Sequence, residues 1–481
     1  MKIRKILENI NYSGKFEDIE VSNISYDSRK STKQSMFIAI EGQDFNGHDY
    51  IPQAIKNGAV AVVKEKGYNK IYEAIDIEVE NTRQILPKIA KNFYSDPSSK
   101  IDTIGVTGTN GKTTTAFLIN KILNDCNYNS GSIGTLGFVS SNEVVSTGFT
   151  TPESLELNNF IDQLVKGGME NVVIEVSSHS LALSRMDHIK IDTAIFTNLT
   201  EEHLDFHKTM ENYFLEKLKL FTSLSKDSFS IINIDDPYSD RIIRSTCSNI
   251  FTYGFSKKAD IYPVSSKIDY GGMDLIFSIN DKEYKVCTKI TGRHNIYNIM
   301  AAISACKIKN ISINKIINAI ENIDFIPGRM EFVGNKKNKI FIDYAHTPDA
   351  YENILKLVNQ IKEPNDKIIT LFGCGGDRDK DKRPLMAKIT EKYSDKIIVT
   401  SDNPRTEGLN FILEDILSGF SQKKHEVIQN REDAIKKSIN ILDKNSVLLV
   451  LGKGREEYQI INNEKIFHSD LEIIKREINA N

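Results

Sequence analysis

The residues best equipped for chemistry are Thr107-Gly108-Thr109-Asn110-Gly111-Lys112-Thr113-Thr114. A glycine-bearing turn that ends in Gly-Lys-Thr and opens a helix is a phosphate cradle. Backbone N–H groups and the helix N-terminus meet the anion, Lys112 offsets its charge, and the Thr113 hydroxyl can hold Mg²⁺. The usual pattern, G-x-x-x-x-G-K-[ST], would put glycine at position 106, where this chain has Val106; the cradle is a shorter form anchored on Gly108. Downstream, the apolar run Asn171-Val172-Val173-Ile174 ends in Glu175, where a phosphate-cradle protein keeps its Mg²⁺-linked carboxylate, and Ser177-Ser178-His179 follows at once. Between Thr197 and His207 the chain packs Glu201, Glu202 and Asp205 with His203 and His207, an oxygen and imidazole set suited to a divalent cation. Asn295 and Asn298 lie three apart, a spacing that lets one helical face offer two amides to a nucleobase edge.

Three more polar runs follow apolar ones near the C-terminus: Gly373 to Lys380, Ser401-Asp402-Asn403-Pro404-Arg405, and Gly452-Lys453-Gly454-Arg455-Glu456-Glu457. Arg378 and Arg405 suggest bidentate capture of a carboxylate and the acids suggest an amine, so the substrate implied is zwitterionic, like an amino acid.

These residues need strand ends to hold them. Apolar runs at 35–40, 59–63, 103–106, 172–174 and 193–196, then at 339–342, 367–372, 396–400 and 447–451, alternate with helical stretches. That is the pattern of α/β domains with mainly parallel sheets, whose ligands bind at the strand C-termini. Turn-rich joints at Asp96 to Lys100 and Ile326 to Arg329 divide the chain into 1–98, 99–330 and 331–481. A length of 481 residues suits three domains. The net charge of −3 argues against a broad nucleic-acid surface. Cys126, Cys247, Cys287, Cys306 and Cys374 are scattered and lack C-x-x-C spacing, as in a reducing compartment. With no signal-peptide core and no apolar run long enough to span a bilayer, a cytoplasmic protein, not inserted in membrane, is expected.

Taken together and in order, these motifs resemble the Mur ligases, ATP-dependent amide-forming enzymes of peptidoglycan synthesis. The resemblance also rests on Thr150-Thr151-Pro152, on Pro327-Gly328-Arg329-Met330-Glu331, and on Asp343-Tyr344-Ala345-His346-Thr347-Pro348-Asp349. It covers nearly the whole chain and implies a uridine-nucleotide-binding α/β domain, a central P-loop ATPase domain and a C-terminal Rossmann-like domain. It further implies that Gly108, Thr109, Asn110, Gly111, Lys112, Thr113 and Thr114 hold ATP phosphates, with Asn295, Asn298, Arg329 and Asp343 as further nucleotide contacts. Thr113, Glu175 and His203 would organise Mg²⁺, and Lys217 stands where the family carries a carbamylated lysine, an N6-carboxylysine able to hold a second Mg²⁺. From sequence alone Lys217 is an ordinary solvated helix lysine.

Within the family the chain is similar to members that add the third amino acid. Their substrates are ATP, UDP-N-acetylmuramoyl-L-alanyl-D-glutamate and a diamino acid. The resemblance gives Ser28, in Asp27-Ser28-Arg29, to the uridine nucleotide, and Thr150, Thr151, Ser177 and Arg185 to the muramoyl dipeptide. Arg378, Asp402, Asn403, Pro404, Arg405, Gly452 and Glu456 fall to the amino acid. The Asp-Asn-Pro-Arg run resembles that of members using meso-diaminopimelate, whose distal carboxylate Arg405 and Arg378 would clamp while Glu456 receives the distal ammonium. L-Lysine or lanthionine remain the alternatives, and a monomer is expected. Three departures stand out: Leu183 in place of Gln, Glu202-His203 in place of Asp-His, and Arg455 in place of His beside the amino-acid loop. More distant readings are a folylpolyglutamate-type ligase, which lacks the Asp-Ser-Arg domain, and a GTPase-like switch, for which no Asn-Lys-x-Asp run is found.

Overall fold

The computed structural model describes every residue except 43–44, 69–71, 142, 335–338, 422–424, 463 and 481. Its strands form where the sequence offers uninterrupted β-branched and apolar residues. Asn171–Glu175 and Ser446–Leu451 are buried along their whole lengths, as parallel strands covered on both faces must be.

Three sheets succeed one another along the chain. The first is parallel and four-stranded: Asn23–Ser25, Ser35–Ile38, Ala59–Glu65 and Ile75–Val79 lie in sequential order. The second has eleven strands. Its parallel heart runs Asn249–Tyr253, Phe229–Asn233, Thr193–Phe196, Asp102–Thr107, Asn171–Glu175 and Ser130–Gly134. One flank carries an antiparallel wing, Ile261–Asp269, Gly272–Ile279 and Lys282–Thr288, that the reading of continuous apolar runs does not reveal. Its last two strands join through Asn280-Asp281, both at positive φ, the conformation a two-residue hairpin requires.

The third sheet has six strands, five of them parallel, with Ser446–Leu451 between Lys339–Asp343 and Lys367–Phe372. Helices Pro348–Ile361, Lys382–Tyr393 and Leu409–Leu417 cover one face, and Arg431–Asn440 with Asp470–Ala480 the other, so the sheet is doubly wound. A hairpin, Tyr458–Ile461 with Glu464–Phe467, follows the central strand. The cradle, Glu175, the segment from Thr197 and the three C-terminal loops each stand at the C-terminal end of a parallel strand, whereas Asn295 and Asn298 lie in the helix Arg293–Ile308, which follows an antiparallel one. No helix among the described residues is long and apolar enough to cross a membrane.

Candidate active site

The cradle links the strand Asp102–Thr107 to the helix Lys112–Asp125. Gly108 and Gly111 sit at φ +149° and +88°, and a Cβ on either would collide, with Thr197 Oγ1 and Asn198 backbone at the first and with Asn298 Oδ1 at the second. Glycine is required there because neighbouring side chains close in on the loop. Asn198 binds the Asn110 backbone both ways, accepting from its N–H (2.9 Å) and donating to its carbonyl (3.0 Å). Thr197 Oγ1 donates to the same carbonyl at 2.6 Å. Lys112 Nζ donates to the carbonyls of Gly108 and Thr109, each at 2.8 Å. Burial lowers its pKa, against the opposing pull of Glu202 and Glu175.

Thr113 Oγ1 donates to Glu175 Oε2 at 2.8 Å and accepts from Arg329 Nη2 at 3.1 Å. Glu175 is fixed from its other side by the backbone N–H of Thr135 (2.8 Å) and its hydroxyl (3.2 Å). Among the described residues no three His, Cys, Asp or Glu side chains are grouped closely enough to cage a metal. Mg²⁺ does not need such a cage, since it keeps waters and takes one or two carboxylates plus phosphate oxygens. The buried Thr113–Glu175 pair at the cradle mouth fits that donor chemistry. His203 stands nearby at φ +57°. Burial pulls its imidazole down to about 4, opposed by Glu202 and reinforced by His179, so the ring is neutral at pH 7.

Lys217 corrects the sequence reading. It is 1% exposed, its Nζ donates to Gly108 O at 3.0 Å, and it stands 4.8 Å from the Tyr213 ring centre. Burial, then the charge of Lys112, push its pKa well below the usual lysine value. The helix Met210–Thr222 buries Tyr213, Phe214, Lys217, Leu220 and Phe221. That stripe has helical period, and Lys217 falls within it, a signal that was available in the sequence.

Asn295 and Asn298 share a helix face but do not both offer their amides to a ligand. Asn298 Nδ2 donates to Asn295 Oδ1 (2.9 Å), its Oδ1 accepts from Thr115 Oγ1 (3.2 Å), and Asn295 donates to Thr291 O (2.7 Å). Asn298 lines a cavity of about 640 Å³ with Asn110, Arg293, Tyr297, Arg329 and Asp343; Asn295 lies behind it and sets its orientation. This cavity opens between the cradle and the helix Pro348–Ile361, whose Asp349 Oδ2 accepts from Asn110 Nδ2 at 2.6 Å. Asp349, Arg293 and Tyr297 lie within runs that the sequence marks, but nothing in the sequence gives any of the three a role in the site.

Thr150, Thr151, Ser177 and Arg185 converge beside Glu175. Thr151 Oγ1 donates to Glu175 O (2.7 Å) and accepts from Ser177 N (3.0 Å), and Thr150 Oγ1 lies 3.2 Å from Thr135 Oγ1. Arg185 donates to Thr151 O at 3.0 Å and pairs with Glu153 at 2.7 Å. Ser28 is buried and does not line the neighbouring cleft of about 200 Å³; Tyr26, Asp27 and Lys30 do, facing Glu156 and Asn159 of the helix Ser154–Lys166.

At the C-terminal loops Arg405 sits at φ +55° and donates to Gly376 O at 2.7 Å. Partial desolvation lowers the pKa of Arg378, and the nearby charge of Arg405 lowers it further. Arg378 is exposed and Arg405 half-buried, and among the described residues neither guanidinium forms an ion pair. Glu456 does not face the pocket as a bare acid: its Oε2 accepts from Lys453 Nζ (2.9 Å) and Asn403 Nδ2 (3.0 Å). Pro404 and Gly452 shape the loops, with Asp402 Oδ2 directly against Gly452.

This arrangement, a short phosphate cradle joined by Asn110 to a doubly wound domain with an arginine pair, matches known proteins along the chain. Family models describe residues 20–94 as Mur ligase family, catalytic domain, 106–306 as Mur ligase middle domain, and 328–454 as Mur ligase, glutamate ligase domain. The chain belongs to the Mur ligase family. A relative in Clostridium botulinum, named UDP-N-acetylmuramoyl-L-alanyl-D-glutamate--2,6-diaminopimelate ligase, is 40% identical over 99% of both chains. One of the same name in Clostridioides difficile is 41% identical over 98% of both. A solved structure of a ligase so named shares 28% identity and a TM-score of 0.70, covering 100% of this chain and 99% of its own. A folylpolyglutamate synthase from Mycobacterium tuberculosis has a TM-score of 0.64 at 15% identity, covers 76% of this chain, and shares the fold.

Two departures from the Mur ligase pattern acquire a physical meaning. Arg455 is committed to the protein: it pairs bidentately with Glu331, through Nε at 2.7 Å and through Nη2, and its guanidinium lies over the Phe325 ring. It ties the loop to the joint between the second and third sheets. Glu202, one methylene longer than Asp, reaches both His203 (3.6 Å) and His346 of the third sheet's loop (3.8 Å).

Proposed function

We propose that this Mur ligase joins meso-2,6-diaminopimelate to the D-Glu carboxylate of UDP-N-acetylmuramoyl-L-alanyl-D-glutamate at the expense of ATP, and that it does so in the cytoplasm as a peptidoglycan precursor enzyme. The observation that carries the choice of amino acid is the arginine pair: Arg378 and Arg405 stand close enough to repel, and among the described residues neither forms an ion pair, Asp205 and Asp377 acting on Arg378 only without direct contact. A second carboxylate on the incoming amino acid supplies the missing partner, and lysine has none to offer. Full-length relatives carrying the diaminopimelate name support the same reading.

The proposed division is 1–98 for the uridine nucleotide, 99–330 for ATP and 331–481 for the amino acid. The cradle from Gly108 to Thr114 takes the phosphates. Lys112 leaves its two loop carbonyls to meet the γ-phosphate, while Asn298, Arg329 and Asp343 receive the nucleoside from the cavity. Thr151, Ser177 and Arg185 orient the D-Glu carboxylate toward that phosphate, giving an acyl phosphate. The neutral amine of diaminopimelate attacks the acyl carbon, and phosphate departs. Thr113, Glu175 and His203 would hold Mg²⁺, which when bound offsets charge on the transferring phosphoryl group. Lys217 has the character its proposed modification needs. Its pKa is pushed down, so a neutral amine is available to attack CO₂ and form the carbamate with loss of a proton.

Phosphate release with ATP and the UDP-dipeptide, offering meso-diaminopimelate, L-lysine and lanthionine separately, tests the proposal. Preference for meso-diaminopimelate is expected. Preference for lysine removes the role given to the arginine pair, and absence of turnover with all three removes the ligase reading.

A further inference from the structure

Lys453 takes no part in the steps above, yet its ammonium is fully buried at the amino-acid end of the site. Three groups receive it: Glu456 Oε2 at 2.9 Å, Asn403 Oδ1 at 3.2 Å, and the face of Tyr458 at 5.7 Å. A buried cation persists only where its partners are fixed, and these partners are fixed in turn. Asn403 Oδ1 also accepts the backbone N–H of Ile460 (3.0 Å), and Asn403 Nδ2 donates to Glu456. One oxygen of Glu456 is therefore committed to the protein. The other, Oε1, meets the Tyr344 hydroxyl at 3.5 Å, and the Glu456 side chain keeps 21% of its surface exposed, so this oxygen is left for a ligand.

We propose that Lys453 is a specificity-determining residue that acts through Glu456 to make the site reject diamino acids with a bare distal ammonium. This rests on the amino-acid assignment made under Proposed function. With Lys453 in place, the Lys453–Glu456 pair carries no net charge, so a distal ammonium gains a hydrogen bond from Oε1 without the attraction of an uncompensated acid. Such an ammonium also approaches three cations, Lys453, Arg378 and Arg405. Diaminopimelate brings a carboxylate to answer the arginines; lysine brings none and meets repulsion. Discrimination of this kind comes from what the site withholds from the wrong ligand as much as from what it offers the right one. Lys453 also holds Glu456 in one rotamer, so Oε1 is aimed before the substrate arrives.

The test compares kcat/KM for meso-diaminopimelate and L-lysine in the full-length enzyme, its Lys453→Met variant and its Glu456→Gln variant, with the KM for ATP and the melting temperature measured alongside. In Lys453→Met an uncompensated Glu456 welcomes any ammonium, so the diaminopimelate-to-lysine ratio falls by about tenfold or more while the KM for ATP is unchanged. In Glu456→Gln the acid is gone and the cations remain, so the ratio moves the other way. Equal losses for both amino acids in Lys453→Met would mean a merely structural lysine and overturn the inference. If that variant does not fold, the Glu456→Gln ratio decides, and a fall or no change there overturns it equally. A wild-type enzyme that uses neither amino acid instead removes the underlying assignment, a failure told apart by the parent enzyme alone.

Discussion

Two strand-end sites in this molecule hold polar loops in place by different means. At the phosphate cradle single hydrogen bonds hold the loop: Asn198 and Thr197 fasten the Asn110 backbone, Lys112 and Lys217 donate to Gly108 O, and Thr135 and Thr113 fasten the Glu175 carboxylate. At the amino-acid end, buried ion pairs do the same work. Arg383, fully buried, clamps Glu407 bidentately (2.8 and 2.7 Å) and reaches Gly375 O; Glu407 in turn accepts from Asp377 N at 3.0 Å. Arg431, also buried, pairs with Asp470 and donates to Ser401 O and Leu451 O. A cradle proposed to receive a highly charged ligand keeps Lys112 and Lys217 on loop carbonyls instead of in ion pairs. The amino-acid loops instead carry internal charge pairs, which set a local field before a zwitterion arrives.

The sharpest way to break this comparison is Lys217, the buried charge on the cradle side. Lys217→Ala should lower kcat by roughly 10²- to 10³-fold, with partial recovery when short-chain carboxylates are added. Wild-type activity in that variant would remove the carbamate. At the other end, Arg405→Ala should raise the KM for diaminopimelate roughly 10- to 100-fold and leave that for ATP unmoved, as loss of a charged hydrogen-bond partner predicts. A parallel rise in both constants would show that the loop has collapsed. Asn198→Ala is the neutral counterpart. Losing two ordinary hydrogen bonds to Asn110 should raise the KM for ATP about tenfold and spare the amino acid, measured under saturation of the other substrates.

The smallest expected effect is on stability. Arg383 holds Glu407 down at about 2, below the ordinary glutamate value of 4.5. A depressed carboxylate pKa gives stability that is complete above 4.5 and lost as pH falls toward 2. Glu407→Gln should therefore melt a few degrees lower than wild type at pH 7, and the gap should close between pH 4.5 and 2. A gap independent of pH would mean that the pair contributes shape and not charge.

The central parallel strands, such as Asn171–Glu175 and Ser446–Leu451, are readable as continuous apolar runs, because a strand covered on both faces shows no alternation to confuse it, whereas parallel strands such as Ile75–Val79 and Asn249–Tyr253, which carry polar and partly exposed residues, are not. The antiparallel wing from Ile261 to Thr288 was missed for the converse reason: it is half-solvated, and its polar residues read as loop. Glycine spacing made the cradle plain, whereas Asn198, 88 residues beyond the Asn110 it holds, carries no local mark. The same is true of Arg383 and Glu407, 24 residues apart. Asn295 and Asn298 were correctly placed on one helix, yet their amides bond each other, an outcome that spacing does not distinguish from two amides offered to a ligand. Arg455 shows the limit of reading a loop as one unit: Glu456 beside it bonds Lys453 and Asn403 of the C-terminal loops, while Arg455 pairs with Glu331 at the joint.

The 2.6 Å bond between Asn110 and Asp349 spans 239 residues of chain and joins the phosphate-binding loop to the first turn of the helix Pro348–Ile361. The loop that grips the nucleotide is thus also a handle on the domain that delivers the amine. Both residues also line the cavity proposed for the nucleotide, so a round that loads and empties it would have to release that handle. The enzyme's tempo would then be set by how often Asn110 lets go, and a substitution at Asp349 would alter the rhythm of turnover without touching an atom that reacts.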